Sequence, residues 1–240
     1  MDPVIASIRK ELQERGDSEV RKTAQRFFKG EISCYGLKTA AVTAIARKRW
    51  KEIKNRDKTE IHALCEELCR SGYMEEAFIA ATWARLLEDR IEPGDIIVYR
   101  HWIDTYVSNW AECDGLCNHA VGSLLDRYPD CVEELKRWTQ SENRWMRRAA
   151  AVSLIIPAKH GRFLDDVFVI ADLLLLDTDD LVQKGYGWLL KEASRKHTDE
   201  VFAYVMHHRR VMPRTALRYA IELMPKDLRA EAMQKERQGG

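Results

Sequence analysis

Tyr106-Val107-Ser108-Asn109-Trp110-Ala111-Glu112-Cys113-Asp114 reads as the opening of a helix near the middle of a 240-residue chain. Trp110 and Asp114 stand four apart, which on a helix means one turn and one face. A large ring is ordinarily buried and a carboxylate ordinarily solvated. The two on one stripe suit a concave surface that holds something apolar and stabilises a positive charge. On both sides of this stretch apolar residues recur at three and four, the helical period.

Towards the N-terminus, Val4, Ile5, Ile8 and Leu12 form a stripe that ends near Gly16. Asp17-Ser18 starts a second helix through Val20, Ala24, Phe27 and Phe28, with Gly30 as its end. The loop Ser33-Cys34-Tyr35-Gly36 leads to a third helix through Ala41, Ile45 and Trp50. Thr59 is the expected cap of a fourth, with Ile61, Leu64, Cys65 and Leu68 inward. Met74 to Glu88 is a fifth, burying Ala77, Phe78, Ala81, Ala84 and Leu87, and Pro93-Gly94 breaks the chain before a short helix from Asp95. The Trp110 stretch launches a helix to Tyr128, stopped by Pro129. Beyond it come Asp130 to Thr139, a helix capped by Asn143 running to Pro157, Phe163 to Leu176, and Asp179 to Arg195. Thr198 is the expected cap of the next, Pro213 sits in the first turn of another, and Asp227 begins a last short helix. The polar residues 234–240 read as a frayed tail.

No stretch alternates with the strand period, and 12 Gly with 6 Pro in the whole chain disfavour a turn-rich β architecture. The expected fold is all-α: about 14 helices in stacked antiparallel pairs, repeating every 30 to 40 residues or so, the HEAT-like range. Self-similarity between pairs is poor, so the repeat reading rests on periodicity. Such stacks curve and bind on their concave side. The expectation is one curved HEAT-like α-solenoid domain over 1–240.

The N-terminus turns polar at Arg9-Lys10-Glu11, so no secretory leader is expected. The longest apolar runs, near 149–158 and 167–176, are too short for a bilayer, and Asp172 interrupts the second. A cytoplasmic location without membrane contact follows as the expectation. Cys65 with Cys69, and Cys113 with Cys117, stand four apart and could share a metal on a helix, but the spacing fits free thiols acting as small apolar groups better. No metal is expected.

The net charge is +1, but it is unevenly spread. Residues 1–50 carry eleven Lys and Arg against six Asp and Glu, residues 51–140 eleven against eighteen, and residues 141–240 seventeen against fourteen. From Asn143 to Leu164 there are five basic residues (Arg144, Arg147, Arg148, Lys159, Arg162) and no acidic one. Segregated basic ends can form a polyanion-binding face. Chance clustering on solvated helices reads these counts equally well.

Three helices compare with one another. One offers Trp110 and Asp114. The next but one offers Arg144 and Arg148 on one face. A third reads Gln183-Lys184-Gly185-Tyr186-Gly187-Trp188-Leu189-Leu190-Lys191, with Lys184, Trp188 and Lys191 on one face. Two glycines inside a helix cost roughly 1 kcal/mol each against alanine, which points to close approach of another backbone or a ligand. Aromatics among Arg and Lys suit a nucleic-acid backbone. Each residue alone reads as well as core, solvated face or helix-dipole compensation. Recurrence on alternate helices, which line one surface of a solenoid, is the stronger signal.

These residues resemble the AlkD-type DNA alkylation-repair glycosylases over most of the chain. The resemblance lies in Arg26-Phe-Phe-Lys-Gly30 with Tyr35-Gly36-Leu37, in Asn109-Trp110 with Asp114, and in Trp145-Met-Arg-Arg148-Ala149-Ala150. It continues in Lys184-Gly-Tyr-Gly-Trp188-Leu-Leu-Lys191 and Arg214-Thr-Ala-Leu-Arg218-Tyr-Ala-Ile-Glu222. It implies a C-shaped HEAT-like solenoid that grips duplex DNA and excises positively charged 3-alkyladenine and 7-alkylguanine without a cofactor and without flipping the base. By match to the motif, Asp114 is implied as the catalytic carboxylate, Trp110 and Trp188 as aromatic walls on the deoxyribose, and Arg148 as a phosphate clamp. Arg144, Arg147, Lys184, Lys191, Arg214 and Arg218 are further candidates on the DNA side. Phe27 departs from the pattern, since some members carry a tyrosine there, and keeps only the ring for DNA.

The chemistry agrees. A ring-alkylated purine already carries positive charge and leaves readily, so oxocarbenium character develops on the sugar. A carboxylate stabilises that charge and orients water, and indole faces do so through their quadrupoles. No general acid is needed. Two other classes stay open: a non-catalytic binder of branched or damaged DNA, and a HEAT-like protein-interaction scaffold. A protein that encircles DNA in this way is expected to be a monomer.

Overall fold

The computed structural model describes residues 1–234, and all regular structure among them is helical apart from one isolated bridge between Ser33 and Tyr73. Of the expected 234–240 tail, all but Gln234 lies outside the described residues. Packing divides the chain into two compact units, Met1–Tyr128 and the part from Pro129 onward. The first contains α1 (Pro3–Arg15), α2 (Ser18–Gln25), α3 (Thr39–Ile53), α4 (Lys58–Arg70), α5 (Met74–Leu86), α6 (Asp95–Tyr106), α7 (Trp110–Leu116) and α8 (Gly122–Arg127), a π-helical turn (Cys117–Val121) joining the last two. The second contains α9 (Val132–Trp138), α10 (Arg144–Val152), α11 (Ile155–Lys159), α12 (Leu164–Leu173), α13 (Asp180–Ala193), α14 (Thr198–His208), α15 (Arg214–Ala220) and α16 (Lys226–Met233). With α7 and α8 taken as the one helix expected there, and α10 with α11 likewise, these sixteen segments are the fourteen helices of the sequence reading.

Alternate helices pack on each other within each unit. In the first, α3 lies against α5, α5 against α7, and α4 against α6. In the second, α10 lies against α13 and α13 against α15, while α9 lies against α12 and α14 against α16. Consecutive helices pair between these rows, as α4 with α5, α9 with α10 and α12 with α13. The apolar stripes of these helices are thus covered by a neighbour two elements away, which is how helix pairs too thin to enclose a core alone become stable. The fully buried side chains include Ile5, Ile45, Trp83, Tyr99 and Trp102 in the first unit and Tyr186 in the second.

Three local expectations are corrected. α2 stops at Gln25 rather than near Gly30, and Phe27, expected on that helix, lies beyond it and is 69% exposed. α2 has no buried residue, so no tertiary packing stabilises its extension. Instead the Gln25 side chain donates to the Gly30 carbonyl at 2.8 Å and accepts the Ile32 N–H at 3.2 Å, closing a loop. Thr59 does not cap α4, which begins at Lys58 after Asp57. Thr198 does not cap α14 either: it is the first helical residue, and its hydroxyl donates to the Ser194 carbonyl at 2.7 Å.

Candidate functional site

The start of α7 is fixed by its cap. Asn109 is buried, and its side-chain oxygen accepts the N–H groups of Ala111 and Glu112, each at 3.1 Å. Glu112 reaches back to accept the Ser108 N–H at 2.9 Å and its hydroxyl at 3.0 Å. Reciprocal bonds of this kind satisfy donors that a helix start leaves open. Burial raises the Glu112 pKa from its ordinary value, against the lowering effect of hydrogen bonds from Ser108 and Asn109. Trp110 is therefore held as the first residue of α7 and Asp114 follows one turn later, both half-buried.

Trp110 meets the loop after α2. Its ring stacks on Phe28 with centroids 5.3 Å apart and planes inclined by 19°. Its indole N–H donates to the Phe27 carbonyl at 3.4 Å. Together with Leu37, Met74 and Phe78 these rings line a largely apolar cleft of about 470 Å³, with Glu19, Thr23, Lys38, Thr39 and Glu75 as its polar points. The far side of the loop is anchored by two buried carboxylates. Glu75 accepts the N–H groups of Tyr35, Gly36 and Leu37 at 2.9, 2.8 and 3.1 Å. Glu76 accepts the Tyr35 hydroxyl at 2.8 Å and the Arg9 guanidinium at 3.1 Å. Sequence reading missed this pair and Phe28. The available signal was two acidic residues opening an otherwise apolar helix.

In the second unit the row α10, α13, α15 carries every candidate. Arg144 is exposed and grips Asp179 with two bonds of 3.0 Å, its guanidinium 5.1 Å from the Trp145 ring centre. Arg147 pairs with Asp177 at 2.6 Å and donates to the Ser141 and Glu142 carbonyls, both at 2.9 Å. Arg148 is only 5% exposed and donates to the Leu181 carbonyl. Lys184 pairs with Asp180 at 2.7 Å. Lys191 pairs with Glu222 at 3.2 Å, and its ammonium lies 5.9 Å from the Tyr219 ring centre. Trp188 is half-buried. Burial pushes the Glu192 carboxyl up, but the Arg195 guanidinium bonded to it, with the Trp188 indole and the Lys191 charge assisting, holds it below its ordinary value. Arg214 and Arg218 are exposed on α15. The two aspartates that hold Arg144 and Arg147 were not singled out in the sequence.

The glycines of α13 have partners within the protein. A Cβ at Gly187 would stand 2.8 Å from the Ala216 carbonyl oxygen and 2.8 Å from Tyr219 Cβ, so this glycine admits α15. A Cβ at Gly185 would stand 3.5 Å from Arg148 Cγ, so Gly185 borders the Arg148 side chain.

Among the described residues no cysteine is in a disulfide, and burial raises the Cys69 thiol to about 12. Among the described residues no group of three His, Cys, Asp or Glu could hold a metal ion. None of the described helices is long and apolar enough to cross a membrane.

Comparison with known proteins completes the picture. No curated protein matches the chain. Among solved structures, a "Predicted DNA alkylation repair enzyme from Enterococcus faecalis" has the same fold. Its TM-score is 0.79 and its identity 16%, over 88% of this chain and 97% of that one. The family described as DNA alkylation repair enzyme matches residues 8–224, and the chain belongs to that family.

Proposed function

We propose that this DNA alkylation repair protein is a DNA glycosylase that removes 3-alkyladenine and 7-alkylguanine from duplex DNA by hydrolysing the N-glycosidic bond, without flipping the base. The observation that carries the reading is the capped start of α7, which offers an indole and a carboxylate one turn apart. The family supports an enzyme of alkylation repair acting on DNA.

In the proposed reaction the bond from the sugar's anomeric carbon to the purine nitrogen breaks. Its electron pair leaves with the base and neutralises the positive charge there. Asp114 stabilises the cation left on the sugar and orients the attacking water, whose proton passes to the carboxylate or solvent. Trp110 and Trp188 present indole faces to the electron-poor sugar. Arg148 serves as the phosphate clamp, with Arg144, Arg147, Lys184, Lys191, Arg214, Arg218 and Phe27 as further DNA contacts. No cofactor takes part. The whole chain acts as one HEAT-like repeat domain and as a monomer, in the cytoplasm and on the nucleoid, within base excision repair.

Asp114→Asn tests it. The variant should keep its affinity for duplex DNA and release 7-methylguanine at least about 100-fold more slowly than wild type, the lower end of general-base effects. Wild-type release by the variant would sink the carboxylate role. Tight, salt-dependent binding with no release by either protein would favour the non-catalytic binder.

A further inference from the structure

Two contacts from one loop fix the Trp110 ring. Phe28 covers it at 5.3 Å, nearly parallel, and the Phe27 carbonyl ties its N–H at 3.4 Å. Turning the indole about either side-chain bond has to break one of them. The loop is itself braced. Gln25 closes it at Gly30 and Ile32, and Glu75 binds three consecutive amides from Tyr35 to Leu37. Gly36 lies at φ 93°, where a Cβ would stand 2.1 Å from the Asp17 carbonyl oxygen, so the loop passes α2 too closely for any other residue. Phe28 is thus presented by a loop whose backbone is bonded at Gly30, at Ile32 and from Tyr35 to Leu37. The sequence places Phe28 on the second helix; in the structure it follows that helix, is half-buried and spends its ring face on Trp110.

We propose that Phe28 is a positioning residue for base release: by stacking on Trp110 it sets the orientation in which the indole meets the damaged nucleotide's deoxyribose. It acts through Trp110 and not on the DNA. The inference rests on the role given to Trp110 above. Its physical basis is that rate depends steeply on the geometry of groups around the reacting atoms, and an offset-stacked ring restrains its neighbour.

The test compares wild type with Phe28→Leu, which keeps apolar bulk without a ring, and Phe28→Tyr, which keeps the ring. Base release is followed on duplex carrying 7-methylguanine with enzyme in excess, and affinity on undamaged duplex. Each protein is also labelled with 5-fluorotryptophan for ¹⁹F NMR; the chain has seven Trp, and Trp110→Phe assigns the resonance of interest. Phe28→Leu should release base about fivefold more slowly, the ratio equivalent to about 1 kcal/mol of stacked-pair energy. Its duplex affinity should not change, its Trp110 resonance should shift, and the other resonances should stay in place, which verifies the fold. Phe28→Tyr should restore most of the rate. The proposal fails if Phe28→Leu works at the wild-type rate, if affinity falls in step with rate, or if the Trp110 resonance does not move. Absence of release by wild type would defeat the glycosylase reading instead. The Trp110 resonance would then decide alone whether Phe28 sets that ring, a shift supporting it and an unmoved signal overturning it.

Discussion

Gly185 and Gly187 lie two apart on α13 and meet different neighbours, so the same substitution should act in opposite directions. At Gly187 an added Cβ meets the Ala216 carbonyl oxygen at 2.8 Å, and backbone cannot step aside. Gly187→Ala should lower stability by roughly 1–3 kcal/mol, the usual cost of overpacking, read as a lower urea midpoint. At Gly185 the nearest atom is Arg148 Cγ at 3.5 Å, an ordinary contact. Gly185→Ala should leave the midpoint unchanged or raise it by up to about 1 kcal/mol, since alanine is the better helix former. A destabilised Gly185→Ala would show that the space beside Arg148 is tighter than these distances. That something approaches this helix closely was legible from its glycines, and it holds at Gly187 but not at Gly185. Which partner stood at each was not legible, because the pattern is the same for a carbonyl, a guanidinium or a ligand.

At the scale of an element, buried side chains hold the start of α7 and the loop facing it. Asn109→Ala leaves the Ala111 and Glu112 N–H groups without their acceptor. Loss of such a cap typically costs about 1 kcal/mol, and because Trp110 is the first residue of α7, base release should slow as well. Equal rates for Asn109→Ala and wild type would show that the cap does not govern the site. Glu75→Gln replaces one acceptor oxygen by an NH₂ donor, so the carboxylate's three amide bonds cannot all survive. Hydrogen exchange at Tyr35, Gly36 and Leu37 should then accelerate relative to the α5 interior; unchanged protection there would refute the anchor. The helix opening at Trp110 could be read directly from its apolar period, while its Asn109 cap was found in the structure. The loop could not be read in this way. Its amides are matched by a carboxylate about 40 positions away, and α2, none of whose residues is buried, ends before Gly30.

At the scale of the molecule two predictions concern charge. His62 is buried against the rings of Trp102 and Tyr99, with centroids 5.6 and 6.4 Å away. Burial lowers its pKa, Asp95 opposing and Lys58 and Arg90 assisting. The folded state therefore binds fewer protons at His62 than the unfolded chain does, and stability at this residue falls as pH drops below its ordinary 6.5. Denaturation measured from neutral pH downward should show that loss, and His62→Gln, which does not titrate, should lessen it; identical pH profiles would exclude His62 as the cause. The second prediction concerns duplex binding. The basic excess in residues 1–50 and 141–240 should make log affinity fall linearly with log salt, with a slope of about −0.9 per neutralised phosphate. A salt-independent affinity would contradict a phosphate-gripping role.

The sequence by itself determined the helical class, the number of helices and the placing of Trp110 with Asp114 on one turn. These follow from apolar period, caps and i, i+4 spacing, all carried within a few residues of chain. Only the tertiary structure decided that packing divides at Pro129. It alone tied Arg144 and Arg147 to Asp179 and Asp177, set Gly187 against α15, and placed Phe28 on Trp110. Such pairings join residues 29 to 82 positions apart, and period and spacing fix which way a side chain faces along its own helix without specifying which distant residue it will meet.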